Sequence, residues 1–238
     1  MQTFFKESPV YGYVERTITN ASADATIAFA LDFNSPGEKL TKKSVLCQNK
    51  IYIPVDVNDL KITNYIIDII IEILNKKSFP EGIDLNIAGN GLHTIKGKLT
   101  QEQCDDFTYK LLKNVIHNPK LENKINLIRS GGQTGFDESG IKAGIKLNIP
   151  TLVYAPKGWL YRTQNGVDIS NEKKFKKRFM KELNISYKCL LCDIEIKKIL
   201  EADDSKPWDG AFEGGIVESI SAGYGSDLDG DNYIIAIC

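Results

Sequence analysis

The chain has 238 residues, enough to bury a core as one large domain or as a medium domain with a small appendage. Its 30 basic and 31 acidic residues leave a formal net charge of -1, which excludes a global field of the kind that draws a protein onto nucleic acid or an anionic membrane. Five cysteines, Cys47, Cys104, Cys189, Cys192 and Cys238, are odd in number and irregularly spaced, which argues against a secreted disulfide framework. Lys6 and Glu7 stand early and no long apolar core with a small-residue cleavage site follows, so a cytoplasmic protein is expected.

In chain order, Ala25 to Phe33 and Lys50 to Val57 are rich in β-branched and aromatic residues and bounded by turn formers, and both are predicted strands. Leu60 to Lys77 is a predicted helix. Its apolar stretch Ile66 to Leu74 is interrupted by Asp68 and Glu72 and is far too short to span a bilayer. Ile83 to Ala88 is a strand, and Thr100-Gln101-Glu102-Gln103 opens a helix with a capping-box pattern that should end near His117-Asn118-Pro119. Ile125 to Ile128 is a strand, Asp137 to Leu147 a helix, Thr151 to Tyr154 a strand and Ser170 to Leu183 a helix. The basic residues of that last helix, Lys173, Lys174, Lys176, Lys177, Arg178 and Lys181, are spaced as a solvated face opposite Phe175 and Phe179. Beyond about Asn184, Tyr187 to Leu200 and Tyr233 to Cys238 are strand-like, which predicts a small β-rich appendage over residues 184–238 after a domain of residues 1–183.

Alternating strands and helices predict an α/β fold, a Rossmann-like parallel sheet with helices on both faces. Ligands of such sheets bind beyond the carboxyl ends of the strands. Four loops there carry small and polar residues: Asn34 to Gly37, Gly89 to Gly91, Gly131 to Gly135 and Ala155 to Gly158. The third stands between a strand and a helix, where glycines permit close backbone approach and free N–H groups attract an anion, so a phosphate and hence a nucleotide is expected.

Ser130 to Asp137 reads S-G-G-Q-T-G-F-D, followed by Asn148-Ile149-Pro150 and Pro156-Lys157-Gly158. Earlier stand Arg16-Thr17, Asn20, Ala23-Asp24-Ala25-Thr26, then Ser35 to Thr41 (S-P-G-E-K-L-T), then Leu85-Asn86-Ile87-Ala88-Gly89. Together these resemble the SLOG superfamily of Rossmann-like nucleotide binders, and within it the branch described as molybdenum-cofactor carriers, with the two halves in circularly permuted order. Pro36 and Glu38 depart from the Gly and Thr of the family turn, and residues 184–238 have no counterpart.

The resemblance implies a nucleotide site. Gly131, Gly132, Gln133, Thr134 and Gly135 would cradle a phosphate and Asp137 would bind a ribose hydroxyl. Asn20 and Asp24 would read a sugar or base edge, Ser35, Gly37, Gly89, Asn90 and Gly91 would approach the ligand, and Pro156, Lys157 and Gly158 would add a point charge. Trp159, Tyr161 and Arg162 either stack on a base or plug the end of the sheet. Glu138 stands in register with the final Glu of the superfamily's phosphoribohydrolases, where a carboxylate can assist N-glycosidic cleavage, or it merely complements a helix dipole. Cys189, Cys192 and Cys238 suggest zinc but supply three ligands of the four required, so no metal is expected, and Asp227 to Asp231 reads as a hairpin turn rather than a calcium loop. No resident cofactor is required. The expectation is a protein that binds a nucleotide or nucleotide-derived signal, cyclic or ADP-ribose-like, as a sensor or sequestering protein in phage–bacterium conflict. Sequestration would call for a closed pocket and homo-oligomerisation. An N-glycosidase and a protein-interaction scaffold are the alternatives.

Overall fold

A computed structural model describes residues 3–163 and 165–179 in full and residue 180 by its backbone; beyond them it describes the backbone of five short strands. The chain divides into two compact units, Met1–Leu183 and Asn184–Cys238.

In the first unit six strands make one fully parallel sheet: β1 (Thr3–Glu7), β2 (Ala25–Ala30), β3 (Ile51–Asp56), β4 (Ile83–Gly89), β5 (Ile125–Ser130) and β6 (Thr151–Ala155). Their spatial order is β1-β6-β5-β4-β2-β3. Among the described residues six helices accompany them: α1 (Val14–Asn20), α2 (Pro36–Cys47), α3 (Asn64–Asn75), α4 (Gln101–Ile116), α5 (Phe136–Lys146) and α6 (Glu172–Met180). This is the expected Rossmann-like architecture. Every residue of β2 is buried, as a parallel strand covered on both faces requires. Right-handed crossovers place α1 and α2 on one face and α3, α4 and α5 on the other, which agrees with the packing of α1 on α2 and of α4 on both α3 and α5.

The chain runs outward from β2 to β3, returns past β2 to β4, and continues through β5 to β6. Its direction therefore reverses between β2 and β4, and the loops leaving their carboxyl ends diverge to open a crevice. Phe29 of β2 stacks on Phe136 of α5, with ring centroids 5.2 Å apart, and Phe107 of α4 meets Phe29 edge-on at 6.0 Å. A second cluster joins Ile141, Val153, Tyr161, Phe175 and Phe179.

Some boundaries differ from the sequence reading. β2 stops at Ala30 rather than Phe33, because the Leu31 and Asp32 N–H groups donate to Asn90 Oδ1 at 2.9 and 3.1 Å. α3 starts at Asn64 rather than Leu60, since Leu60 holds φ 48° and Thr63 caps the helix through the Ile66 N–H. The capping box of Thr100 and Gln103 forms in both halves. β1, α1 and α2 were not foreseen. β1 is a five-residue edge strand, and α2 carries sound start signals, Ser35 as N-cap and Pro36 at its first turn, but few apolar residues to mark a helical period. Within the basic run, Arg178 turns inward: it donates to Glu138 and to Gly132 O at 2.5 and 2.6 Å, with its guanidinium 4.1 Å from the Tyr161 ring centroid.

A short hairpin, β7 (Leu160–Arg162) with β8 (Asp168–Ser170), completes the first unit. In the second, β9 (Tyr187–Lys188), β10 (Glu195–Lys198) and β11 (Phe212–Glu213) form an antiparallel sheet, and β12 (Ile216–Ser221) pairs antiparallel with β13 (Asn232–Ile237). Cys189, Cys192, Cys238 and the stretch 227–231 lie outside the described residues. Among the described residues no helix is long and apolar enough to cross a membrane.

Candidate functional site

A cleft of about 420 Å³ opens at the carboxyl ends of β2, β4 and β5, where the strand order reverses. Of the residues predicted from sequence, it brings together Asn20, Ser35, Gly37, Gly89, Asn90, Gly91, Gly131, Gln133, Thr134, Asp137, Pro156 and Lys157. Asp24, Gly132, Gly135, Gly158 and Glu138 do not line it. Asp24 stands just before β2, at the opposite end of the sheet, where it pairs with Lys50 at 3.1 Å and accepts the Asp84 N–H at 3.2 Å. Gly158 turns the chain at φ 76° and binds Glu7 through its N–H.

The glycine-rich loop after β5 is a clasp within the protein. Gly135 donates its N–H to Gln101 Oε1 at 2.6 Å and accepts from Gln101 Nε2 at 3.0 Å, while the Phe136 N–H goes to Asn90 O at 3.4 Å. Gln133 Nε2 and Thr134 Oγ1 each donate at 2.7 Å to the hairpin, to Leu160 O and Arg162 O. Its glycines are required by packing: a Cβ on Gly132 would meet Phe175 and Val153 at 2.7 Å, and one on Gly135 would meet Asn90 O at 2.5 Å. A Cβ on Gly131 would strike Asp137 Oδ2 at 2.5 Å and Arg16 Nη1 at 2.6 Å. By contrast, a Cβ on Gly37 would meet nothing within 4 Å. Open space therefore lies beside Gly37 at the start of α2, as it does beside Gly12, which also lines the cleft.

Glu138 is buried between two cations, Lys142 at 2.8 Å and Arg178 at 2.5 Å, and Lys142 also pairs with Asp105 at 2.8 Å. This network joins α4, α5 and α6 beneath the cleft. Asn90 is likewise occupied, its amide stitching the β2 and β4 loops together.

The cleft carries its own carboxyl groups. Asp137 lies 3.7 Å from Arg16 Nη1, and Arg16 also donates to Gly131 O at 3.1 Å. Arg16 and the nearby backbone of Gly89 and Gln133 favour the Asp137 carboxylate, yet burial outweighs them and pushes its pKa up. Burial lowers the pKa of Arg16. Glu38, in the first turn of α2, is raised from 4.5 to about 8 by burial first and then by the negative charges of Asp137 and Asp32.

Among the described residues six buried side-chain polar atoms lack a hydrogen-bond partner, and four belong to residues of this cleft: Arg16 Nε, Asn20 Oδ1, Glu38 Oε2 and Asn86 Oδ1. Their residues are 9, 5, 3 and 2% exposed. Unsatisfied polar atoms cost about 1–3 kcal/mol each, so their concentration in one cleft points to a ligand or water that completes them.

Tyr11 and Tyr13 line the mouth at 81 and 55% exposure, and Lys157 Nζ lies 4.8 Å from the Tyr11 ring centroid while donating to Pro9 O at 2.9 Å. Trp159 and Tyr161 instead pack on Phe175 at 5.5 and 5.9 Å, the plug rather than the stack. Arg162 lines the cleft but is paired with Asp168 at 2.6 Å. The resemblance runs through Arg16, Glu38 and Asn86 without giving them a role in the site. Nothing in the sequence singled out Tyr11 and Tyr13, which stand in an irregular segment. No family model, no curated protein and no solved structure matches the chain.

Proposed function

We propose that the cleft binds a nucleotide or a nucleotide-derived small molecule and that the protein acts by holding it, as a sensor or sequestering protein. The observation that carries this reading is the set of four unpartnered buried polar atoms gathered in the crevice where the strand order reverses. Support for a permuted SLOG-type arrangement comes from the assembly of the cleft. Its walls derive from Ser35 to Glu38, Asn86 to Gly91, Gly131 to Asp137 and Pro156 with Lys157, far apart in sequence yet adjacent here. A place in phage–bacterium conflict follows from that resemblance alone.

Melting temperatures measured with ribonucleoside monophosphates, ADP-ribose and cyclic dinucleotides test the reading. One of them at a hundredfold excess over its Kd should stabilise the fold by about 2.7 kcal/mol. A folded protein that responds to none of them contradicts it.

One observation favours cleavage as a second reading. Glu38, raised to about 8, is protonated at neutral pH, so the cleft holds a group able to act as a general acid. Under this reading free base appears when a bound nucleotide is incubated with the protein and is not formed by Glu38→Gln. Chromatographic recovery of intact nucleotide after prolonged incubation excludes it.

A further inference from the structure

Resting on the reading of the cleft as a nucleotide site, we infer that the ligand is held by its sugar. The ribose diol faces the deep wall made by Asp137, Glu38, Asn20 and Asn86, and the phosphates stay at the mouth beside Lys157.

A phosphate only accepts hydrogen bonds, whereas a ribose hydroxyl both donates and accepts. The deep wall offers mainly acceptors: the Asp137 carboxylate and the unpartnered Asn20 Oδ1, Asn86 Oδ1 and Glu38 Oε2. Three donors of the glycine-rich loop that would suit a phosphate are engaged elsewhere, while Arg16 Nε has no partner. The Gly135 N–H goes to Gln101, the Phe136 N–H to Asn90 O, and the Thr134 hydroxyl to Arg162 O. The side chains of Asp137 and Arg16 crowd Gly131, where a Cβ would meet them at 2.5 and 2.6 Å, and so fill the space in which a phosphate would meet the loop. Glu38 adds no second negative charge at neutral pH, and its neutral carboxyl can donate to one hydroxyl while accepting from another.

The mouth has the opposite character. Lys157 gives one of its three ammonium hydrogens to Pro9 O, which leaves donors for an anion. Open space lies beside Gly37 at the start of the 12-residue α2. The exposed rings of Tyr11 and Tyr13 offer stacking faces for a base. A nucleotide therefore fits with its diol edge inward and both its base and its phosphates outward.

Calorimetric titration of the full chain tests this with AMP, GMP, CMP and UMP, their 2′,3′-dideoxy counterparts, and inorganic pyrophosphate. The monophosphate that binds should lose about ten- to a hundredfold in affinity in its dideoxy form, and excess pyrophosphate should not displace it. Asn20→Ala and Asn86→Ala should weaken the ribonucleotide and leave the dideoxy form unchanged; the wild-type comparison stands independently of how those variants fold. Equal affinity of the two forms, or displacement by pyrophosphate, overturns the sugar-inward orientation and leaves nucleotide binding intact. Absence of binding by all four monophosphates overturns the sugar-inward orientation, and it overturns nucleotide binding as well when ADP-ribose and cyclic dinucleotides also leave the melting temperature unchanged.

Discussion

Replacing Glu38 by Gln removes a buried carboxyl while keeping its shape, and the consequence for stability can be worked out from its surroundings. Glu38 is 3% exposed, and burial together with Asp137 and Asp32 raises its pKa from 4.5 to about 8; Tyr52, itself raised to about 12 by burial and by Glu38, faces the same carboxyl. Between those two pH values the folded chain binds a proton that the unfolded chain has lost, so stability falls as pH rises. Each pH unit in the window is worth about 1.4 kcal/mol. The wild type therefore gives up about 3 kcal/mol between pH 4.5 and pH 7, and about 5 kcal/mol in all above pH 8, relative to an uncharged side chain. Glu38→Gln lacks this dependence. Urea denaturation of both proteins from pH 4 to pH 9 should give equal stabilities at the acid end and a variant more stable by about 3 kcal/mol at pH 7. A difference that stays constant across the range, or a variant less stable at pH 8, refutes the assignment of Glu38 as a buried neutral acid.

Two further perturbations probe the frame of the cleft. Arg16→Met leaves the buried Asp137 without its cation and should cost about 3–5 kcal/mol in urea denaturation, most of it recovered in the double variant Arg16→Met, Asp137→Asn. Equal losses in the single and double variants would mean that packing rather than charge holds this wall together. Gly135→Ala forces a side chain into φ 95° and against Asn90 O, so its melting temperature should fall by an amount equivalent to about 2 kcal/mol or more, whereas Gly37→Ala, with open space around it, should be neutral or stabilising by up to about 1 kcal/mol. The opposite ranking would contradict the distinction between a packed clasp and an open helix start.

Strands β2 to β6 were legible because apolar and β-branched residues recur in them between turn formers, and the capping box at Thr100 marked α4 within a residue. α2 escaped notice for a physical reason. It packs one modest face, so Ser35 and Pro36 announce a start that no hydrophobic period then continues. The location of the site was also legible, since strand ends and small residues predict a crevice. Its chemistry was not. A glycine-rich loop looks the same in sequence whether its N–H groups face an anion or are met by Gln101 and Asn90, residues that only the fold brings to it. Glu138 and Glu38 show the same limit. Each is a carboxylate in the first turn of a helix, but Lys142 and Arg178 close around Glu138, while Glu38 stands with an unpartnered oxygen in the cleft.

The proposed binding of a nucleotide in this one cleft is tested by an amide chemical-shift titration of the full chain with the nucleotide that most raises its melting temperature. Shifts should concentrate at Arg16 to Asn20, Ser35 to Glu38, Asn86 to His93 and Gly131 to Asp137, the segments that converge where β2 and β4 part. Perturbations confined to residues 184–238, or spread along α3 and the amino ends of the strands, would contradict it.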